Sequence, residues 1–275
     1  MKRLALFASL TFAVVGALVA PARAQEASPP VEDWVVTALP AQKTTAAVAA
    51  FTSGLGIIAR CQNGVYDVIM AGLPEAPRGE TTRDLGVAVG DAGEIRTTVW
   101  TVGSDRTTAF SRLPAIVARS LAKGGKLQIV VSGNAGERRT RYVMALNPSS
   151  TAIEQTLSAC GRPLVDLRDD RLEGNGQSGL PSYYVWVRPP FPLFPDPVAG
   201  RSITEGYVAL SCVTQTDGRL ADCQVESEQP PRFNLSRHLI RSLDNTRVGL
   251  SEEGLAKGAT VANHVVAFTV NFRME

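Results

Sequence analysis

The chain has 275 residues, with 28 Lys+Arg against 26 Asp+Glu, 2 His and 4 Cys. A net charge of +2 supplies no basic field for nucleic acid or anionic lipid, and neither histidine lies near a cysteine in sequence, which argues against a metal site. The 4 cysteines point to disulfides instead, and so to an oxidising compartment.

The first segment reads MKRLALFASLTFAVVGALVAPARAQ. Lys2 and Arg3 form a basic n-region, Leu4–Ala20 is apolar, and Ala22-Arg23-Ala24 is a small-x-small cleavage site. This pattern predicts export to the periplasm with cutting after Ala24, so residues 1–24 are a signal peptide and no integral membrane segment remains. Lys2, Arg3 and Arg23 leave with it, so basic residues fall from 28 to 25 against 26 acids and the net charge becomes −1.

Residues 31–170 read as a β-rich domain. DWVVT, LGIIARC, VYDVIMA, DLGVAVG, EIRTTVWTV, KLQIVVSG and RRTRYVMALN are strand-like runs broken by turn residues. Two helices interrupt them. Pro114–Lys123 ends at Gly124-Gly125, and a second helix starts at Thr151, where Thr151 and Glu154 form a capping box, and runs to Cys160.

The Gly- and Pro-rich stretch from Arg171 reads as a linker, assigned to residues 171–184 before a C-terminal domain over 185–275. Its aromatics Tyr183, Tyr184, Trp186, Phe191 and Phe194 expose too much apolar surface for a bare spacer, and the expectation is an arm packed on the C-terminal domain, with a peptide docking on a partner as the alternative. Three motif matches carry no chemistry. Gly174–Gly179 fits a dinucleotide fingerprint but lacks the flanking strand and helix, and Ser120–Lys123 fits S-x-x-K without its partner motifs. Asp166, Asp169 and Asp170 alternate with Arg168 and Arg171, a solvated charge run. His238 and His264 have no assignable nucleophile or orienting acid, so no catalytic residue, cofactor or metal is expected and the chain does not read as an enzyme.

In YVALSCVTQTDGRLADCQVESE, Asp217-Gly218 is a hairpin signal. With that pair as the loop, Thr214 faces Ala221, Cys212 faces Cys223, Leu210 faces Val225 and Val208 faces Ser227. A two-residue type I′ turn and a four-residue turn over Thr216–Arg219 both keep this register. It predicts Cys212–Cys223, and elimination leaves Cys61–Cys160. Ser211, Asp222, Gln224 and Glu226 fall on the opposite face from Leu210 and Val225. Asn234–Asn245 follows as a helix, Asn234 its N-cap, with Leu235, Leu239, Ile240 and Leu243 on one apolar face. The last strand turns Val266, Phe268, Val270 and Phe272 inward and leaves Val265, Thr269 and Asn271 on the open face. The fold class is α+β: a β-rich domain with two helices, then a small β-β-α-β domain.

VRPPFPLFPDPVAG, EGYVALSCV, TDGRLADCQVESEQPP, the helix and AFTVNF together resemble the TonB C-terminal domain, over about a third of the exported chain. The hairpin is similar to the family's CxxxxDGRLxDCxVxSExP subgroup, while Phe194-Pro195-Asp196-Pro197 stands where the family continues through Tyr-Pro. Energy-transducing members keep an uncleaved membrane helix and a long Pro-rich spacer, and here a cleavable leader and a folded domain stand instead. The N-terminal run ALNPSSTAIEQTLSACG resembles exported envelope proteins of the invasion-associated locus B type and carries no functional implication. The resemblance to TonB implies an envelope binding module that takes a segment of an envelope or outer-membrane protein by strand addition along Val265–Phe272. Literal energy transduction and an enzyme acting on an envelope polymer are the rival expectations.

Overall fold

The computed structural model describes residues 34–91, 93–132, 139–172, 180–195, 203–231 and 233–273. The cleavage site after Ala24 and the Gly174–Gly179 motif lie outside these residues. Among the described residues the protein is a strand-dominated α+β structure with few helices, and no helix is long and apolar enough to cross a membrane.

Period-two alternation builds the first part. β1 (Val35–Leu39), β2 (Thr44–Ala50), β3 (Gly56–Gln62), β4 (Val65–Ala71), β5 (Thr82–Val89), β6 (Arg96–Val102) and β7 (Ala109–Ser111) precede α1 (Pro114–Ala122). β8 (Gly125–Val131), β9 (Thr140–Leu146) and α2 (Ser150–Ala159) follow. The strands form one 9-stranded antiparallel sheet in the order β1-β2-β3-β4-β7-β6-β5-β8-β9. Ile57, Ala59 and Cys61 alternate on β3, and Tyr66, Val68 and Met70 on β4, all buried with Trp100 under the two helices. Every strand run marked in the sequence is present. β2 and β7 are additional, because TTAAVAA buries only small alanines and AFS is three residues long.

α1 starts on Pro114 and ends as expected at Gly124, whose φ of +65° suits a glycine past the C-cap. The Thr151–Glu154 box is absent: Ser149 is the N-cap and makes no side-chain cap, so Thr151 already lies inside the first turn. Cys160 at the end of α2 is bonded to Cys61 on β3, as expected by elimination. Beside it, the buried Tyr66 hydroxyl donates to Thr156 Oγ1 at 2.9 Å, which in turn donates to Ile153 O at 2.8 Å. Burial pushes the Tyr66 pKa up to about 12, the Thr156 bond and two arginine charges opposing it.

The second part contains β10 (Tyr184–Arg188), β11 (Glu205–Thr214), β12 (Leu220–Gln229), α3 (Leu235–Ser242), β13 (Arg247–Leu250), α4 (Glu252–Ala256) and β14 (Val265–Arg273). A 3-stranded sheet runs β12-β11-β14, and β10 pairs with β13. The order differs from a plain strand–strand–helix–strand unit: β10 precedes it, and β13 and α4 stand between α3 and the last strand. Val208, Leu210, Val266, Phe268 and Phe272 meet Leu235, Leu239 and Leu243 in a second hydrophobic cluster. Ile240 is corrected: it is 41% exposed, because the helix turns it past the stripe of Leu235, Leu239 and Leu243.

The hairpin keeps its central register and slips at both ends. Leu210↔Val225 and Ser211↔Gln224 stand as expected, and Cys212 is bonded to Cys223. Thr214 instead faces Leu220, and Val208 faces Glu228. The type I′ turn is not formed, since only Gly218 takes positive φ (+76°) while its N–H donates to Gln215 O at 3.0 Å. This turn shifts the register by one residue; Asp222, at φ +47°, shifts it back, and Glu226 is the extra residue of a second bulge. Asn234, in the left-handed region, makes no side-chain cap. The Glu228 carboxylate replaces it, accepting from Leu235 N and Ser236 N at 3.1 Å each.

The linker aromatics pack within the chain. Tyr184 is buried, Trp186 meets Phe268 edge-on at 5.1 Å, and Phe194 meets Phe272 at 6.2 Å. Phe191 remains exposed. YVWVR therefore forms strand rather than free spacer, and Leu180 ahead of it is also buried.

Candidate functional site

β14 is the outer strand of its sheet, pairing with β11 from Glu205↔Arg273 to Val213↔Val265 without a register break. Thr214 N donates to His264 O at 2.9 Å, which fixes the phase of the ladder. Even-numbered residues of β14 therefore aim their N–H and C=O at β11, while those of Ala267, Thr269 and Asn271 aim outward from the sheet. The other outer strand, β12, is broken by two bulges, a recognised way of blunting an edge.

Side chains at odd positions of β11 and β14 share one face, and neighbouring elements cover half of it. Leu172 pairs with Val265 in a parallel β-bridge, which takes up the outer edge of β14 at that residue, and Val265 is 1% exposed, so it does not lie on an open face as the sequence suggested. Arg168 Nη2 donates to Ser211 O at 2.6 Å, and Arg171 Nη1 donates to Asn263 Oδ1 at 2.6 Å. Arg162 Nη1 donates to Glu226 Oε2 at 3.2 Å, and Ser211 Oγ donates to Glu226 Oε1 at 2.6 Å. Arg119 forks onto Asp169, with Asp166 at 3.8 Å. Burial would lower the Arg119 pKa, but the Asp169 hydrogen bond and the charges of Asp169, Asp166 and Glu226 hold it above the ordinary range. The 166–171 run is thus no solvated charge run. It binds the polar face of the hairpin, and Ser211 and Glu226 are buried there.

Toward the other end the same face opens. Thr269 is half-buried and Asn271 exposed, and both line a cleft of about 1470 Å³ together with Ala267 and Arg273. The opposite wall comes from β6 through Arg96–Val99 and from α1 through Ile116, Val117 and Ser120. Lys123 also lines it, so the residues of the S-x-x-K match sit on this wall. At the floor, Arg112 lies over the Tyr207 ring, 4.2 Å from guanidinium to centroid, and its backbone carbonyl accepts from Ser227 Oγ at 2.7 Å. Burial lowers the Arg112 pKa, and the neighbouring Tyr207 only partly opposes it.

Of the three expected edge residues, two reach the cleft and Val265 does not. The sequence reading missed Arg112, Tyr207 and the β6 wall, whose residues come from distant positions and share no local motif. The Arg168/Arg171 clamp was legible in principle, as a basic run opposite a hairpin face of Ser211, Asp222 and Glu226. The His264 ring lies against the Tyr184 ring at a tilt of 53°, with centroids 5.7 Å apart. No group of His, Cys, Asp or Glu that could hold a metal occurs among the described residues. No protein-family model matches this chain, and no curated protein sequence matches it.

Proposed function

We propose that this chain is an exported envelope protein that binds an extended segment of another envelope or outer-membrane protein by adding it as a strand to β14, and that its C-terminal third is related to the TonB C-terminal domain. The observation that carries the reading is the unbulged β14 edge, whose outward amides at the accessible Thr269 and Asn271 stand in a cleft of about 1470 Å³. Main-chain hydrogen bonds would supply affinity there, and the cleft walls would select side chains. The two disulfides suit an oxidising compartment such as the periplasm.

The test captures envelope proteins on the exported chain, then measures affinity for the captured segment. Thr269→Pro removes an outward donor without breaking the β11 ladder and weakens binding several-fold, from a bond worth about 1 kcal/mol. Arg241→Glu, on the exposed side of α3, leaves affinity unchanged. Loss only with Arg241→Glu, with the proline variant folded and binding normally, would mean docking on the helix and would overturn strand addition. Turnover of peptidoglycan by the purified chain would favour the enzyme instead.

A further inference from the structure

We propose that the strand-adding segment carries a carboxylate and that Arg112 binds it, so the cleft selects acidic peptides. This rests on the strand-addition reading and goes beyond it by naming the chemistry of the partner.

Arg112 is 8% exposed and forms no salt bridge among the described residues, whereas Arg60, Arg106, Arg119, Arg162 and Arg219 each have a carboxylate partner. Its one side-chain hydrogen bond among the described residues runs from Nε to Thr101 Oγ1 at 3.4 Å. The Tyr207 ring holds the planar guanidinium from one side. A buried cation without an acid is costly, and the depressed pKa of Arg112 reflects that desolvation. An incoming carboxylate would relieve this cost, and the guanidinium fork can bond both carboxylate oxygens.

The position fits an added strand. Tyr207 pairs with Asn271, so Arg112 lies over β11 on the face that Asn271 shares, two strand spacings (about 9.6 Å) from a strand added beyond β14, a gap that the Arg112 side chain and a Glu side chain leaning over Asn271 close together. An acidic side chain on that face of the added strand, or the end of a peptide chain, would meet it. The remaining charges agree in sign. Arg96, Lys123 and Arg273 line the cleft against Glu94, Glu205 and Asp169, and Asp169 is already held by Arg119.

The test pans short randomised peptides on the exported chain, one pool N-acetylated and C-amidated and the other with a free C-terminal carboxylate. Enrichment of Asp or Glu at a fixed position in the amidated pool identifies a side-chain source, and preference for the free-acid pool identifies the chain terminus. Each selected peptide is then compared with its neutral twin, Asp→Asn, Glu→Gln or the amide. Wild type prefers the acid roughly ten-fold or more, Arg112→Gln abolishes that ratio, and Arg112→Lys keeps part of it. If Arg112→Gln does not fold, the fall in the ratio with Arg112→Lys decides. Neutral winners, or an acid preference intact in folded Arg112→Gln or undiminished in Arg112→Lys, would overturn the carboxylate anchor. Neutral winners that Thr269→Pro still weakens would leave strand addition standing, and no enrichment in either pool would overturn both.

Discussion

Replacing Glu226 by Gln keeps the shape of the side chain and removes its charge at the joint between the hairpin and the 162–171 segment. The Glu226 side chain is 2% exposed and accepts from Arg162 and from Ser211 Oγ, while the Arg162 side chain is 22% exposed. Breaking a buried ion pair by removing one partner costs about 3–5 kcal/mol, and the partial exposure of Arg162 places this case near the low end, about 3 kcal/mol. At about 2–4 °C per kcal/mol for a chain of this size, the melting temperature falls by about 6–12 °C. Thermal melts followed by circular dichroism under oxidising conditions measure it, with Glu154→Gln on the exposed side of α2 as a control within about 0.5 kcal/mol of wild type. Arg162→Met should cost less in the Glu226→Gln background than alone, since the two changes share one interaction. A loss below about 1 kcal/mol would mean that Glu226 and Arg162 do not form a buried ion pair, because a pair of that value is typical of solvent-exposed positions.

Further outcomes follow from the two hydrophobic clusters and the disulfides. The Tyr66 pKa is raised from 10.0 to about 12, so its stabilising contribution is intact below pH 10 and lost as pH rises toward 12. That loss is about 2–3 kcal/mol, and Tyr66→Phe should remove this alkaline step in urea titrations run across that range. Phe268→Ala should cost about 3–5 kcal/mol, read by the same titrations, since Phe268 is buried against Trp186 and α3. Peptide mapping without reduction should give Cys61–Cys160 and Cys212–Cys223; a link between Cys61 and either hairpin cysteine would contradict the hairpin register.

Strands were legible where bulky apolar residues alternate, as in Tyr66/Val68/Met70 and Val266/Phe268/Phe272, because burial on one face leaves a period of two. They were not legible where burial uses small residues, as at Ala47 and Ala49, or where pairing comes from far away, as between β10 and β13. The hairpin register was readable at Leu210 and Val225, but the bulges at Asp222 and Glu226 were not. A bulge that turns a carboxylate toward Arg162 answers to a partner 64 residues away. Capping failed for the same reason: Glu228 caps α3 from a neighbouring strand, whereas Thr151 and Asn234 only have the right local spacing. The last strand was legible as a strand, and it stands in the outer position of its sheet. The cleft was not legible, because β6, α1 and Arg112 join it only through tertiary packing.

The most direct measurement is amide hydrogen exchange of β14, residue by residue, with and without a bound selected peptide. Thr269 and Asn271, whose N–H groups face away from β11, should exchange readily in the free protein and become protected on binding. Val270 and Phe272, already bonded to β11, should change little. Protection confined to α3, with Thr269 and Asn271 exchanging as before, would contradict strand addition at this edge.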